Sequence, residues 1–158
     1  MDRTYTVVPV AVVSSSRTEV VDDGWDAVTT TITLLPPFTR EAVRGLGDFS
    51  HVEVIFLFDR VDADSAATGA RRPRGNPAWP EVGVFAQRVK HRTNRIGLST
   101  CEILGVDDDR IHLRGLDAVD GTPVLDLKPY LERGDAITNT RVGAWVATVW
   151  ANTCTNQK

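Results

Sequence analysis

Short β-branched and apolar segments recur along the whole chain, and this pattern constrains the fold more than any other feature. The segments lie at residues 5–13, 28–34, 51–58, 98–104, 110–113, 124–127 and 142–150. Segments of this length, alternating or continuously apolar, are typical of β-strands. Turn signals such as Pro36-Pro37 and Asp120-Gly121 separate them. We therefore predict a mainly β protein whose strands form a small closed or nearly closed barrel.

Helices contribute little to the predicted fold. One short helix is expected over residues 39–47, where Thr39 can cap the first turn, Glu41 favours its positive end and Gly47 can end it. Strand–helix–strand alternation is missing, which argues against a Rossmann fold. A length of 158 residues fits one domain, so we predict a single barrel domain over residues 1–158. Residues 61–80 are rich in Pro, Gly and Ala and are expected to form a surface loop.

Charge is distributed unevenly along the chain. Residues 71–95 hold seven Lys and Arg side chains against the single carboxylate of Glu81, a net charge of +6. The whole chain carries −3, so the remainder carries −9. A basic segment on an acidic body can attract an anionic partner. The alternative is a solvated loop with scattered counter-ions.

Several classes of protein are disfavoured. No apolar run is long enough to cross a bilayer, and the N-terminus lacks the features of a signal peptide. Cys101 and Cys154 form no CxxC pair, which favours a reducing cytoplasmic location and neither a disulfide nor a zinc site. Fingerprints of dinucleotide sites, P-loops, HExxH metalloproteases and GxSxG hydrolases are missing. We expect no metal, because the histidines are scattered at His51, His91 and His112.

The segment 83–99 joins a predicted strand to a dense basic loop. Val84 and Phe85 are expected to be buried, and Gly97 to allow a tight turn or a close approach to a ligand. An arginine here can bind a carboxylate or phosphate with two hydrogen bonds. A basic hairpin tip with surface salt bridges is the open alternative. The polar residues of this loop are Lys90, His91, Arg92, Asn94 and Arg95.

The segment 115–130 combines acidic residues with a hairpin-type turn at Asp120-Gly121. Asp126 lies between apolar strand residues, and Lys128 lies two residues on, on the same strand face. We expect these two side chains to pair. Whether Asp117 and Asp126 are structural or functional carboxylates is left open by the spacing.

With these segments, the chain resembles the TrmO-type, or TsaA-like, methyltransferases. The resemblance lies in residues 41–46 (EAVRGL), 49–58 (FSHVEVIFLF), 83–86 (GVFA), 96–97 (IG) and 116–124 (LDAVDGTPV). Single matching residues are Arg88, Arg92, Asn94, Asp126, Lys128, Pro129 and Tyr130. Where the family usually has Arg-Pro-Asn-Pro, this chain has Arg92-Thr-Asn-Arg95, so both prolines are replaced.

The resemblance implies a homodimeric β-barrel that binds S-adenosylmethionine without a Rossmann fold. The family's best-known members methylate the exocyclic nitrogen of threonylcarbamoyl-adenosine beside the tRNA anticodon. By resemblance, the cofactor is bound by Asp22, Asp23, Gly24, Asp59, Arg60, Arg88, Leu98, Arg114, Gly115, Leu116 and Asp117. The substrate is assigned to His91, Arg92, Asn94, Asp126, Lys128 and Tyr130.

The resemblance also suggests how the ligand groups are shared out. Arg60 or Arg88 can bind the cofactor's carboxylate, Asp59 or Asp117 its ammonium group, and Leu98 and Leu116 can contact the adenine. The sequence names no catalytic base, although Asp126, His91 or Tyr130 can accept a proton.

Three functions are carried forward. The first is methylation of a modified adenosine in tRNA, which the basic segment favours. The second is the same chemistry on a small molecule, favoured by the acidic remainder and by a chain that ends about thirty residues after Tyr130, where tRNA-modifying relatives often carry a further domain. The third is a non-enzymatic RNA-binding barrel.

Overall fold

A closed six-stranded antiparallel barrel dominates the computed structural model, which describes residues 3–20 and 24–146. The strands in chain order are β1 (Ala11–Ser15), β2 (Thr29–Leu34), β3 (His51–Leu57), β4 (Ala70–Arg71), β5 (Val82–Gly83), β6 (Ile96–Asp107), β7 (Arg110–Arg114) and β8 (Pro123–Pro129). The barrel order is β1-β2-β7-β6-β3-β8, and β4 and β5 pair only with each other. The predicted mainly β barrel is confirmed.

Alternation along the strands fills the barrel. Val52, Val54 and Phe56 of β3 point inward and are at most 1% exposed, and Ile111 and Leu113 of β7 are fully buried. Burying a side chain of this size stabilises a fold by about 1.5–3 kcal/mol. The alternation in residues 28–34 and at the start of residues 51–58 is therefore the pattern of the core.

A short seam between β1 and β8 closes the barrel. Its ladder has two residue pairs, Ala11 with Val124 and Val12 with Pro123. Flanking backbone bonds extend it: the Val10 N–H donates to Val124 O at 2.8 Å, and the Gly121 N–H donates to Val13 O at 2.8 Å. Closure leaves neither strand with an open edge at the seam.

Gly97 is required by packing inside the barrel. It lies within β6, and a Cβ built on it would come within 2.5 Å of the Phe56 ring. Real Cβ contacts are never so short, and the ring is only 1% exposed, so it has little room to move. The expectation that Gly97 serves a tight turn or a ligand is therefore replaced by a close approach to Phe56.

The predicted helix over residues 39–47 is two turns of 3₁₀ helix, Arg40–Val43 and Leu46–Asp48. Thr39 caps the first turn as expected, and its Oγ1 accepts the Glu41 N–H at 3.4 Å. Gly45 between the turns has a φ of 84°, in the left-handed region, so one continuous α-helix cannot form. Among the elements whose whole length lies within the described residues, the one α-helix is α1 (Glu132–Asp135).

Two predicted strands, one near each end of the chain, differ from the structure. Residues 5–9 are outside β1, and Tyr5, Val7 and Val8 are 78%, 64% and 68% exposed. Pro9 there has no N–H to donate to a neighbouring strand. In the predicted strand 142–150, residues 144–146 are helical, and residues 147–150 lie outside the described part. β-branched composition alone did not distinguish these segments from strands.

The chain divides into two compact units. The barrel unit comprises Met1–Asp59 and Ile96–Tyr130, and the second unit comprises Arg60–Arg95 and Leu131–Lys158. The predicted loop 61–80 lies in the second unit and contains β4 and the 3₁₀ turns Ala63–Ser65 and Pro73–Gly75. The description as one domain over residues 1–158 stays a prediction. Among the helices of the described residues, none has the length and apolar character needed to cross a membrane.

Replacing Gly97 with alanine tests the close packing against Phe56. We expect Gly97→Ala to lower the free energy of unfolding by about 1–3 kcal/mol, because the added methyl group forces a packed ring aside. Chemical denaturation measures the change. Gly83→Ala is the matched control, since a Cβ at Gly83 meets nothing within 4 Å and its φ is −58°. Equal stability of both variants would contradict the packing role of Gly97.

Candidate functional site

The antiparallel order gathers three connections at one end of the barrel. Strands β1, β3 and β7 run toward this end, while β2, β6 and β8 begin there. We name it the connection rim and define it by residues 16–20, 24–28, 58–59, 96–98 and 114–122. The opposite rim holds residues 35–50 and the tight β6–β7 turn at Asp108-Asp109.

The connection rim brings together most of the cofactor residues assigned by resemblance. Gly24, Asp59 and Leu98 lie on it, as do residues 114–117 at the end of β7. Asp22 and Asp23 lie outside the described residues. Arg60 and Arg88 belong to the second unit, so their assignment to the cofactor stays a prediction.

Residues 115–119 hold one carboxylate outward between buried neighbours. Gly115 turns the chain with a φ of 88°, and its N–H donates to Val28 O at 3.0 Å. Leu116 is fully buried and Ala118 is 4% exposed, whereas Asp117 between them is exposed. The suggested contact of Leu116 with an adenine is therefore corrected, because this side chain belongs to the core. Leu98 and Ile96, each 45% exposed, are apolar side chains that the rim offers to a ligand.

The negative charge of Asp117 affects the pKa of a thiol inside the barrel. Cys101 lies on β6 and is fully buried. Burial raises the pKa of its thiol from 9.0 to about 12, and the negative charge of Asp117 adds to the rise. Asp117 is therefore exposed to solvent and still close enough to the core for its charge to act on Cys101.

Arg17 and Trp25 were missed by the sequence analysis and stabilise the β1–β2 connection. The Arg17 Nη2 group donates to Gly24 O at 2.6 Å, and its guanidinium carbon lies 4.6 Å from the centre of the Trp25 ring. The Asp120 N–H donates to Arg17 O at 2.7 Å, and the Asp120 Oδ1 accepts the Ser15 N–H at 3.0 Å. A turn is present at Asp120-Gly121 as predicted, but it does not form a hairpin, because the flanking strands β7 and β8 are not neighbours in the barrel. The turn instead joins two connections of the rim. The two hydrogen bonds of Asp120 join residues more than a hundred positions apart, which no local signal reveals.

A cleft of about 490 Å³ lies on the barrel unit. Hydroxyl groups of β1 and β2 line it, and within it the Thr31 Oγ1 lies 3.1 Å from the His112 Nδ1. The buried Thr30 Oγ1 has no hydrogen-bond partner among the described residues. The lining includes Asp120, but the cofactor residues assigned by resemblance are not part of the described lining.

Gln87 organises the second unit. Its Nε2 group donates to Arg71 O at 3.0 Å and to Val82 O at 2.8 Å, joining residue 87 to β4 and β5. The side chain is 5% exposed, and its Oε1 has no partner within the described part of the chain. The partners of Gln87 lie five and sixteen residues away on two strands and cannot be read from spacing.

Three arginines of the basic segment hydrogen-bond to backbone carbonyls. Arg92 donates to Gln87 O at 2.8 Å, Arg95 to Val61 O at 2.7 Å and Arg72 to Trp79 O at 2.5 Å. A carbonyl satisfies N–H donors without neutralising the guanidinium charge. The segment is therefore ordered by its arginines, and these bonds leave its positive charge in place.

Two sequence expectations within this segment have different outcomes. Val84 is buried at 3% exposure, as expected, but Phe85 is 83% exposed, so its predicted burial is wrong. The 3₁₀ turn Val84–Ala86 directs the two side chains differently. Asn94 lies on the surface, and the segment follows β5 without forming a further strand before β6.

His91 is held by a hydroxyl group. The Ser65 Oγ–H donates to Asp62 O at 2.6 Å, and the same oxygen lies 2.9 Å from the His91 Nδ1. A hydroxyl has one proton, so Ser65 accepts the His91 Nδ1–H, and neutral His91 has its lone pair on Nε2. A half-buried imidazole oriented in this way can accept a proton.

The remaining substrate residues lie on β8 and just after it. The Lys128 Nζ group is 2.7 Å from the Asp126 Oδ2, so the expected pair is confirmed. The hydrogen bond to Asp126 raises the pKa of Lys128. Tyr130 packs edge-on against His51, with ring centres 6.3 Å apart. Asp126 therefore has a cationic partner at the surface of β8.

Within residues 3–20 and 24–146, groups of three or more His, Cys, Asp or Glu side chains that could hold a metal ion are not found.

Comparison with known proteins points to one family. The family model for the tRNA-methyltransferase O N-terminal domain matches residues 20–136. A Pseudomonas aeruginosa protein named as a putative S-adenosylmethionine-dependent methyltransferase, RcsF, is 45% identical over 116 residues, 72% of this chain and 49% of the relative. The Escherichia coli K12 protein named tRNA (adenine(37)-N6)-methyltransferase is 40% identical over 111 residues, 66% of this chain and 46% of the relative.

A solved structure shows the same architecture. The crystal structure of TrmO from Pseudomonas aeruginosa superposes with a TM-score of 0.73 at 36% identity, covering 91% of this chain and 62% of that one. The chain spans about half the length of these two curated relatives.

The Cys101 thiol gives the folding stability of the protein a measurable pH dependence. Its folded pKa lies above the ordinary value, so its contribution to stability is fully present below pH 9.0 and is lost as the pH rises toward about 12. Between about pH 8 and about pH 10 we expect the wild type to lose about 1 kcal/mol more unfolding free energy than Cys101→Ala. Urea denaturation at the two pH values measures the difference. Parallel losses in both proteins would show that the thiol ionises freely.

Proposed function

Because the chain belongs to the tRNA-methyltransferase O N-terminal domain family, we propose that it is an S-adenosylmethionine-dependent methyltransferase whose acceptor is an RNA. The observation that carries the proposal is the connection rim, where one end of the barrel gathers Gly24, Asp59, Leu98 and residues 114–117. The curated relatives named above support the same chemistry, and their longer chains make the activity a proposal for this one.

The chemistry of the rim fits this cofactor. S-adenosylmethionine carries an ammonium group and a sulfonium, and the exposed carboxylates of Asp59 and Asp117 complement positive charge. Leu98 supplies exposed apolar surface for the adenine. The resemblance assigns the cofactor's carboxylate to Arg60 or Arg88, and this assignment stands as a proposal.

When bound, the cofactor would supply the methyl group for in-line attack by the acceptor nitrogen, and the remainder of the cofactor would be a neutral thioether. The barrel's part is to orient: Gly115 and the buried Leu116 fix the direction of Asp117, and the Arg17–Trp25 contact stabilises the adjoining connection. Positioning of this kind can supply much of the rate of a displacement reaction.

His91 is the proposed proton acceptor. The acceptor nitrogen loses its proton as it is methylated, so a nearby base assists the reaction. Among the three candidates, Asp126 is engaged by Lys128 and Tyr130 packs on His51, whereas the Ser65 hydroxyl leaves the His91 Nε2 lone pair available.

The proposed acceptor is the N6 group of the modified adenosine beside the tRNA anticodon. The name of the Escherichia coli relative and the basic charge of residues 60–95 support it, since this stretch holds eight Lys and Arg side chains against three carboxylates. Lys and Arg side chains bind a polyanion by contacting its phosphates. A homodimer, which the family resemblance implies, and a cytoplasmic location, which the cysteine pattern favours, complete the proposal.

Calorimetric titration with S-adenosylmethionine tests the proposed site. We expect Asp117→Asn to bind roughly ten- to a hundredfold more weakly than the wild type, because a charge-assisted hydrogen bond contributes about 1.5–3 kcal/mol. Asp108→Asn on the opposite rim is the matched control, since its φ of 51° is one that asparagine tolerates. Arg88→Ala should also weaken binding if Arg88 holds the cofactor's carboxylate.

Two outcomes would contradict this site. If the wild type binds the cofactor and Asp117→Asn binds it with the same affinity, the cofactor does not bind at the connection rim. No heat from the wild type would favour a non-enzymatic RNA-binding barrel. If the cofactor binds but mass spectrometry of incubated tRNA shows no added methyl group, the acceptor is a small molecule.

Replacing His91 tests the proposed base. We expect His91→Gln to lower single-turnover methyl transfer roughly a hundredfold or more while leaving cofactor affinity unchanged, because general bases contribute about 10²–10⁴-fold. His112→Gln is the control, since His112 also contacts a hydroxyl through Nδ1 but lies on the barrel wall. Equal rates for wild type and His91→Gln would remove His91 from the reaction.

A further inference from the structure

Phe85 is the most exposed large hydrophobic side chain in the described part of the chain, at 83% of its surface. The exposure is fixed by the turn that carries it. Val84 and Gln87 lie one 3₁₀ turn apart and therefore on the same side, and both are buried. Their burial directs Phe85 into solvent.

This turn is firmly anchored to its surroundings. The Val84 N–H donates to Gly69 O at 3.1 Å and the Gln87 N–H donates to Val84 O at 3.3 Å. The two bonds from the Gln87 Nε2 to Arg71 O and Val82 O hold the turn against β4 and β5. Rotating Phe85 inward would break these bonds and expose Val84, so the outward ring is a built feature of the second unit.

A cation accompanies the ring. The guanidinium carbon of Arg92 lies 6.0 Å from the centre of the Phe85 ring, and its Nη1 group is fixed by the hydrogen bond to Gln87 O. A guanidinium at this distance is attracted to the ring face. The arrangement places an aromatic surface and a positive charge side by side, and the ring remains largely open.

The surroundings are positive. Residues 60–95 carry a net charge of +5, from eight Lys and Arg side chains and three carboxylates. An exposed aromatic ring on a basic surface is suited to a ligand that combines a flat apolar face with a phosphate backbone. Unpaired nucleotides have both properties, whereas bases in a duplex are already stacked on their neighbours.

We propose that Phe85, with Arg92 beside it, is a stacking platform that binds an unpaired base of the RNA acceptor. The inference rests on the part of the proposed function that makes the acceptor an RNA. The ring supplies sequence-tolerant stacking, and Arg92 contacts the base face or the adjoining phosphate. The platform thus selects single-stranded loops over paired stems.

Binding of two labelled RNAs without cofactor tests the platform. One is a hairpin with a single-stranded loop and the other is a fully paired duplex of the same length. We expect Phe85→Ala and Phe85→Leu to weaken binding of the loop RNA roughly ten- to a hundredfold, because stacking contributes about that factor per base. Both variants should bind the duplex as the wild type does, and Phe85→Trp should retain loop binding.

Phe38→Ala is the matched control, since Phe38 is 41% exposed on the barrel unit. The platform is overturned if Phe85→Ala and Phe85→Leu bind the loop RNA as tightly as the wild type, if loop and duplex lose affinity equally, or if the wild type binds neither RNA. A change of oligomeric state in Phe85→Ala without RNA would instead make the ring a contact between copies of this chain. Loop binding that depends on Phe85 while no methyl group is transferred to RNA would refute RNA as the methyl acceptor and leave the platform standing.

Discussion

The seam between the first and last barrel strands is the constraint on which the rest of the structure depends. Two residue pairs between β1 and β8 and a few flanking backbone bonds close the sheet. Because every neighbouring pair is antiparallel, closure brings the three connections of the rim to one end of the barrel. Residues 24, 59, 98 and 114–117 lie far apart in sequence and come to this end through the pairing of β2, β7, β6 and β3, which the seam closes into a barrel.

The two units differ in how they are stabilised. The barrel unit is stabilised by a continuous apolar core, and its packing is tight enough to require glycine at position 97. The second unit relies more on polar tethers, in which Gln87, Arg72, Arg92 and Arg95 donate to backbone carbonyls. Carbonyl acceptors order the arginines and leave their charge intact, which suits a segment that meets a polyanion. The barrel thus supplies rigidity, and the second unit supplies charge with an exposed ring.

The sequence predicted what depends on local alternation and failed where distant partners decide. Strands such as β2, β3 and β7 follow the period-two pattern, and the Asp126–Lys128 pair follows from two-residue spacing. Residues 5–9 have the same β-branched composition but no partner strand in the described structure, so propensity misled there. Phe85 was expected in the core because it is apolar, and the burial of Gln87 decided otherwise. The Arg17–Trp25 contact and the orientation of His91 by Ser65 depend on tertiary structure and had no sequence signal.

The central claim is that the cofactor binds at the connection rim, and hydrogen exchange with and without S-adenosylmethionine tests it most directly. Backbone amides at a bound ligand exchange more slowly because local opening becomes less frequent. The account predicts that the cofactor slows exchange in residues 24–28 and 114–122 and leaves the opposite rim, at residues 35–50 and 108–109, unchanged. Slowed exchange confined to the opposite rim, or no change anywhere in the barrel unit, would contradict it.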